Sequence, residues 1–319
     1  MTLSPRRRAR TLLATVFCGI LPLLAGVFVT APPASAAALV EVKAFGANPS
    51  GLRMYLYVPE RLPERPAVLV AAHYCGGSGP AFHLGSEFAS LADLHGFLVV
   101  YPSVTRESRC FDVSSPQALR RGGGSDPAGV RAMVAYVERV HGADPGRVFV
   151  TGLSSGAMLT NVLLGVYPDV FRAGAAFAGV PFGCFATTDG SGWNADCAQG
   201  RVEATAPAWG ERVREAFPGY EGERPRMQLW HGTDDEVLRY PNFVQEIRQW
   251  TDVLGVSRIP ERTDRPRDDW ERYRYGGSGE RAPVEAIAMR GTDHGLLSPG
   301  MAGMAIAFFG LDEAPVGAD

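Results

Sequence analysis

Gly152-Leu153-Ser154-Ser155-Gly156 decides how this chain is read. Arg147 to Thr151 before it is a short apolar strand, and Ala157 to Tyr167 after it has helical spacing. The pentapeptide therefore falls at a strand-to-helix turn. A turn that tight forces its central residue into strained backbone angles, which only small neighbours tolerate, and Gly152 and Gly156 supply the clearance. The hydroxyl of Ser154 is thereby held clear of the sheet edge. The following helix aims free N–H groups at the same point, where an oxyanion develops in acyl transfer. Ser154 is the candidate nucleophile. The competing explanation is a Gly/Ser loop that fits a loose pattern by chance in a chain with 38 glycines.

Outward from this turn the chain alternates strand and helix. Leu39 to Phe45 and Leu52 to Val58 read as an opening hairpin across Asn48-Pro49-Ser50-Gly51. Ala67 to His73 is an unbroken apolar run typical of a central parallel strand, and it ends in the glycine-rich loop His73-Tyr74-Cys75-Gly76-Gly77-Ser78-Gly79. That loop lacks a Gly-Lys-Ser/Thr ending and a G-x-G-x-x-G, so nucleotide binding is set aside. Its expected use is to present the backbone N–H of Cys75 as an oxyanion donor beside that of Ser155, with Tyr74 next to it facing substrate. Gly85 to His95 reads as a helix, Phe97 to Tyr101 as a strand, and 109–125 as a long loop. That loop closes at Ser125 or Asp126, an N-cap before Pro127 and a helix to about His141.

Beyond Ser154, Ala173 to Ala178 is another buried strand. Pro181 to Gly200 is a long structureless insert holding Cys184, Trp193 and Cys197, of the kind that carries function in a compact domain. Trp193 is read there as an exposed stacking platform for a substrate ring rather than a core plug. No element is assigned between Arg201 and Arg226. Met227 to Asp235 is a strand with a polar turn, Pro241 to Leu254 an amphipathic helix, and Arg258 to Asp269 a charged surface excursion. Val284 to Met289 is the last strand and Gly300 to Phe309 the closing helix. The expected fold class is α/β, an α/β-hydrolase fold with a mostly parallel central sheet and helices on both faces.

Histidine discriminates. His83, His95 and His141 lie on or beside helices among polar residues and are read as surface, while His73 and His231 open strand-end turns with structural hydrogen bonds. Only His294, in Gly291-Thr292-Asp293-His294-Gly295, follows both the nucleophile and an acid at Asp234 or Asp235. Nucleophile, acid, histidine is the chain order an α/β-hydrolase triad requires.

Arg6-Arg7-Arg8, the apolar run Leu12 to Val29 and Ala34-Ser35-Ala36 read as a removable secretory signal over residues 1–36. A retained membrane anchor is the rival, opposed by Pro22, by Pro32-Pro33 and by the small-residue ending. Twin-arginine and general export both stay open. The remaining 37–319 suffices for one large domain. A formal charge of −3, more acidic once the leader's arginines are gone, excludes nucleic acid as a partner. Cys75, Cys110, Cys184 and Cys197 are then an even set in an oxidising compartment. Of three connectivities, closeness in sequence favours Cys184–Cys197 and hence Cys75–Cys110. No metal or other cofactor is called for, and the expected state is a secreted monomer free of membrane.

The loop His73 to Gly77, Cys110-Phe111-Asp112-Val113-Ser114-Ser115, Gly152 to Met158, Gly179-Val180-Pro181, and Trp193-Asn194 with Cys197 to Gly200 carry a resemblance over nearly the whole mature chain. The sequence resembles the secreted acetylxylan and feruloyl esterases of the first carbohydrate esterase family, related to extracellular poly(3-hydroxybutyrate) depolymerases. The resemblance implies that the acid is Asp235, at the last place of His-Gly-x-x-Asp, and that Trp193 lines the substrate groove. It departs from the fungal pattern with Phe111 where Trp is usual. Removal of acetyl groups from xylan-like polysaccharide is the expected activity, with feruloyl ester or polyester hydrolysis as alternatives and a silent glycan-binding protein as a remote one. No binding module is expected beyond residue 319, which leaves docking on an insoluble polysaccharide or polyester to the catalytic domain.

Overall fold

The computed structural model describes residues 1–2 and 37–313. The chain divides into Met1–Ala34 and Ser35–Asp319, and the fold belongs to the second unit. Apart from its first two residues, the leader expected over 1–36 lies outside the described residues, as does the chain after 313.

The strands, in chain order, are β1 (Leu39–Val42), β2 (Arg53–Tyr57), β3 (Ala67–Ala72), β4 (Phe97–Ser103), β5 (Val148–Leu153), β6 (Ala173–Phe177), β7 (Arg226–Gly232), β8 (Arg262–Arg267), β9 (Trp270–Tyr275) and β10 (Val284–Met289). The helices are α1 (Gly79–Gly85), α2 (Phe88–His95), α3 (Asp126–His141), α4 (Ser155–Val166), α5 (Ala195–Ala198), α6 (Ala206–Glu215), α7 (Pro241–Val253) and α8 (Met301–Phe309). All the strands join one ten-stranded sheet in the order β1-β2-β4-β3-β5-β6-β7-β10-β9-β8. From β4 to β10 neighbours run parallel, while β1, β2, β9 and β8 extend the two edges antiparallel.

Continuous apolar runs are what a strand covered on both faces requires. In β3, Val68, Val70 and Ala72 pack into one core with α3, α4, α6 and α7, while Ala67, Leu69 and Ala71 pack into a second with α1, α2 and α8. This is an α/β-hydrolase fold. Because the middle strands are parallel, the loops after β3, β5, β7 and β10 all leave the same end of the sheet. None of the described helices is long and apolar enough to cross a membrane.

Several expectations need correction. The helix expected over Gly85–His95 is α2, which starts at Phe88, and a further helix precedes it, because Ser78 caps α1 through Ala81 N with Pro80 in the first turn. The stretch left unassigned holds α6, capped by Thr205 through Ala208 N. The insert Pro181–Gly200 is not wholly irregular, since Asn194 caps the short α5. The charged excursion after Arg258 is the edge hairpin β8–β9. Pro266 is accommodated at its register shift, and the charges of β8 face solvent at the sheet edge. Ser125 takes the N-cap position of α3, but its hydroxyl donates to Asp112 and makes no capping bond to the helix, nor does Asp126 cap it. The buried Asp126 carboxylate instead accepts two bonds from Arg106 (2.9 and 2.6 Å) and one from Asp112 N (2.8 Å). His83 is not simply on the surface, for its ring packs between Tyr57 and Tyr101.

Candidate active site

Ser154 joins β5 to α4 with φ 57° and ψ −115°, left-handed angles that a residue with a side chain adopts only under constraint. The constraint is visible on both sides. A side chain on Gly152 would overlap the backbone of Gly156, and one on Gly156 would overlap the carbonyls of Ala72 and His73. With those two positions bare, α4 starts directly against β3. Ser154 N donates to Phe177 O on the neighbouring strand (2.9 Å), fixing the turn from below.

The loops after β7 and β10 meet because those strands are paired neighbours. Asp234 N donates to Thr292 O (3.0 Å) and Gly291 N to Thr233 Oγ1 (2.8 Å), so the two loops are stitched together. The result is a continuous line of polar atoms. His294 Nδ1 lies 2.7 Å from Asp235 Oδ2, and His294 Nε2 lies 2.9 Å from Ser154 Oγ. A carboxylate only accepts, so Nδ1 carries the proton, and Nε2 is left with a lone pair for the serine O–H. Asp235 is buried and its other oxygen accepts from Val237 N (2.9 Å) and Leu238 N (2.8 Å). Burial alone would push its pKa up. The bond from His294, the electrostatic pull of the two neighbouring imidazoles and the Leu238 amide outweigh that and hold it below the usual carboxylate value. Asp234, one residue earlier, is exposed, and among the described residues its carboxylate accepts only from its neighbour Thr233 Oγ1 (2.9 Å).

Sequence reading did not foresee that His231 backs this line. It is fully buried, its Nε2 donates to Leu238 O (2.7 Å) and lies 3.5 Å from Asp235 Oδ2. Burial drives its pKa down, so it stays neutral and fixes the turn that carries Asp235. Its position at the buried end of a strand four residues before the acid was the available signal. His73 does the equivalent on the other wall. Its Nδ1 donates to Tyr74 O (2.6 Å) and its Nε2 accepts from Val104 N (3.1 Å), and burial lowers its pKa, consistent with a neutral ring.

Ser154, His294, Tyr74, Cys75 and Trp193 line one open cavity of about 490 Å³, with Leu153, Val237 and Leu297 as its apolar surface. Val237 and Leu297 escaped the sequence reading because single apolar residues in loops have no period. Among the described hydrogen bonds the amides of Cys75 and Ser155 are both unused. Two disulfides, Cys75–Cys110 and Cys184–Cys197, join the expected pairs. Trp193 is 49 % exposed, its ring edge-to-face with Phe185 at 5.2 Å. Its loop is braced by Thr187 Oγ1 to Ser191 O (2.6 Å) and Ser191 Oγ to Trp193 O (3.1 Å). No cluster of three or more His, Cys, Asp or Glu side chains among the described residues is arranged to hold a metal ion.

The arrangement has close counterparts. Residues 52–194 match the family model described as esterase PHB depolymerase. Feruloyl esterase B of Talaromyces stipitatus is 43 % identical over 82 % of this chain and 74 % of its own length. The acetylxylan esterase of Coprinopsis cinerea is 41 % identical over 88 % and 76 %. The chain belongs to the acetylxylan and feruloyl esterase family. The backbone of this esterase also superimposes on the acetyl xylan esterase from Aspergillus awamori with a TM-score of 0.81 at 37 % identity, covering 86 % of this chain and 99 % of the other. It is therefore a carboxylic ester hydrolase, and the cavity around Ser154 is where that chemistry has to fit.

Proposed function

We propose that this esterase removes acetyl groups from xylan-like polysaccharide, with Ser154 as nucleophile, His294 as general base and then general acid, and Asp235 as the group that orients and stabilises the imidazole. The observation that carries the reading is the polar line itself, 2.9 Å from Ser154 Oγ to His294 Nε2 and 2.7 Å from His294 Nδ1 to Asp235 Oδ2. As Ser154 Oγ attacks the ester carbonyl, its proton passes to Nε2 and the carbonyl oxygen becomes an oxyanion. The amides of Cys75 and Ser155, both without other partners among the described residues, receive that charge. Collapse expels the sugar hydroxyl, which takes the proton from His294, and leaves an acetyl group on Ser154. Water, deprotonated by the same imidazole, repeats the sequence and frees acetate.

Acetyl is preferred to feruloyl on the 41 % identity to an acetylxylan esterase over 88 % of this chain and the TM-score of 0.81 to another. Feruloyl ester hydrolysis is the second reading, favoured by the 43 % identity to a feruloyl esterase. The mature enzyme is taken as residues 37–319, exported and monomeric, with Trp193 and Tyr74 contacting substrate. The test is a substrate panel on one preparation: acetylated xylan, methyl ferulate and poly(3-hydroxybutyrate) film. Fastest release from acetylated xylan is expected, and a preference for either other ester would replace this assignment.

A further inference from the structure

A second cavity, of about 770 Å³, adjoins the first at Trp193. Trp193 lines both cavities, and the serine and histidine line only the first. The walls of the second come from two long loops that acid, base and nucleophile leave unused: residues 106–125, and the Gly190-Ser191-Gly192 turn before Trp193.

These walls are built, not slack. Asp112 accepts from Ser114 N (3.2 Å), Ser115 N (3.0 Å), Ser115 Oγ (2.6 Å) and Ser125 Oγ (2.5 Å), which folds the first loop around one carboxylate. Arg106, paired with the buried Asp126, also donates to Cys110 O (2.8 Å) and so ties the loop to α3. Thr187 N donates to Ser114 O (3.1 Å), joining the two loops to each other. Ser50 Oγ contributes to the lining, and it is buried without a hydrogen-bond partner among the described residues. Hydroxyls, a guanidinium and an indole ring at the rim are the groups that bind sugars, the ring by contact with C–H faces and the polar groups by hydrogen bonds. The volume lies in the range of about 300–1,000 Å³ that holds a multi-ring ligand and exceeds the needs of a lone acyl group.

We propose that this second cavity is a carbohydrate subsite that holds the sugar residues next to the one bearing the ester, with the polysaccharide crossing from one cavity to the other over Trp193. The proposal rests on the polysaccharide esterase reading above and adds a dependence on chain length. Bound sugars there anchor the substrate through parts remote from the reacting bond, and that binding energy raises kcat/KM.

The experiment compares kcat/KM on monoacetylated xylotetraose and monoacetylated xylose, with p-nitrophenyl acetate as a glycan-free ester. Two obstructions are introduced from opposite walls. Gly192→Phe projects from a position where a side chain meets nothing within 4 Å, and Ser108→Tyr alters an exposed residue, so a failure of one to fold does not remove the other. The wild type is expected to favour the tetrasaccharide by about tenfold or more, the factor given by about 1.4 kcal/mol. Each folded variant is expected to bring that ratio to within about twofold of one. A ratio near one in the wild type, or one that both folded variants leave unchanged, with p-nitrophenyl acetate still hydrolysed, overturns the subsite. So does a length advantage found with 3-hydroxybutyrate oligomers in place of sugars. Failure of the wild type to hydrolyse p-nitrophenyl acetate at all removes the esterase reading, and the subsite with it.

Discussion

Two adjacent carboxylates, Asp234 and Asp235, show how much one residue's setting decides. Chemically identical, they differ in that one faces water while the other is buried against His294 and His231. Asp235→Asn places an amide against Nδ1 and unsettles the tautomer that leaves Nε2 free to accept. Turnover of p-nitrophenyl acetate is expected to fall by about 10³- to 10⁴-fold, as such a change does in serine proteases. Asp234→Asn is expected to stay within about twofold, and equal losses at the two positions would displace the acid assignment. At this scale the sequence was informative wherever residue type and chain order coincide. Ser154 and His294 could be singled out from the strand, helix and loop around them. The choice between the two aspartates needed the family's His-Gly-x-x-Asp spacing, whose histidine, His231, reads only as opening a strand-end turn although its place four residues before the acid points to its role.

At the scale of elements, α7 carries a charge problem of its own. Glu246 is buried between α7 and α4, where its Oε1 accepts from Asn161 Nδ2 (2.8 Å), and burial raises its pKa from 4.5 to about 8. The folded chain therefore keeps a proton that the unfolded chain releases above about pH 4.5. Stability tied to this group is full below that pH, declines as pH rises towards 8, and is flat beyond it. Glu246→Gln keeps the acceptor oxygen and removes the ionisation. Its melting temperature relative to wild type is expected to rise between pH 5 and pH 8, by an amount on the order of a few kcal/mol in stability. A difference that is constant with pH would contradict this. The elements legible in the sequence were the apolar strands and the helices α2, α3, α4, α7 and α8. Those missed are short or carry few buried apolar side chains. In α6 only Trp209, Gly210 and Val213 are buried, and β8 is charged and almost wholly exposed. The β8–β9 hairpin is joined to the sheet by the β9–β10 backbone ladder, reinforced by a buried chain invisible to pattern reading, from Arg274 to Glu285 (2.7 Å), Gln228 to Glu285 (2.8 Å) and Trp230 to Gln228 (2.9 Å).

For the molecule as a whole, both disulfides pin functional loops to the scaffold. One joins Cys75 to the 106–125 loop and the other brackets Trp193. Closing separations of 35 and 13 residues, they constrain the unfolded chain by about 4 and about 3 kcal/mol respectively in the loop-entropy account. Thiol titration of the unfolded, unreduced mature enzyme is expected to find no free cysteine, and reduction to lower its melting temperature. Two or more reactive thiols before reduction would contradict both the pairing and the inferred export.

The α/β-hydrolase architecture was readable because parallel strands, buried on both faces, must be continuous in apolar residues. The sheet order and the second cavity were not, because both depend on which distant segments meet. The central claim is that these meetings assemble one reactive serine. It is tested most directly by mass spectrometry of peptides from enzyme inactivated with diethyl p-nitrophenyl phosphate. A single phosphoryl adduct on Ser154, absent from the Ser154→Ala variant along with hydrolysis, is the predicted result. An adduct on Ser155 or elsewhere, or hydrolysis persisting in that variant, would contradict it.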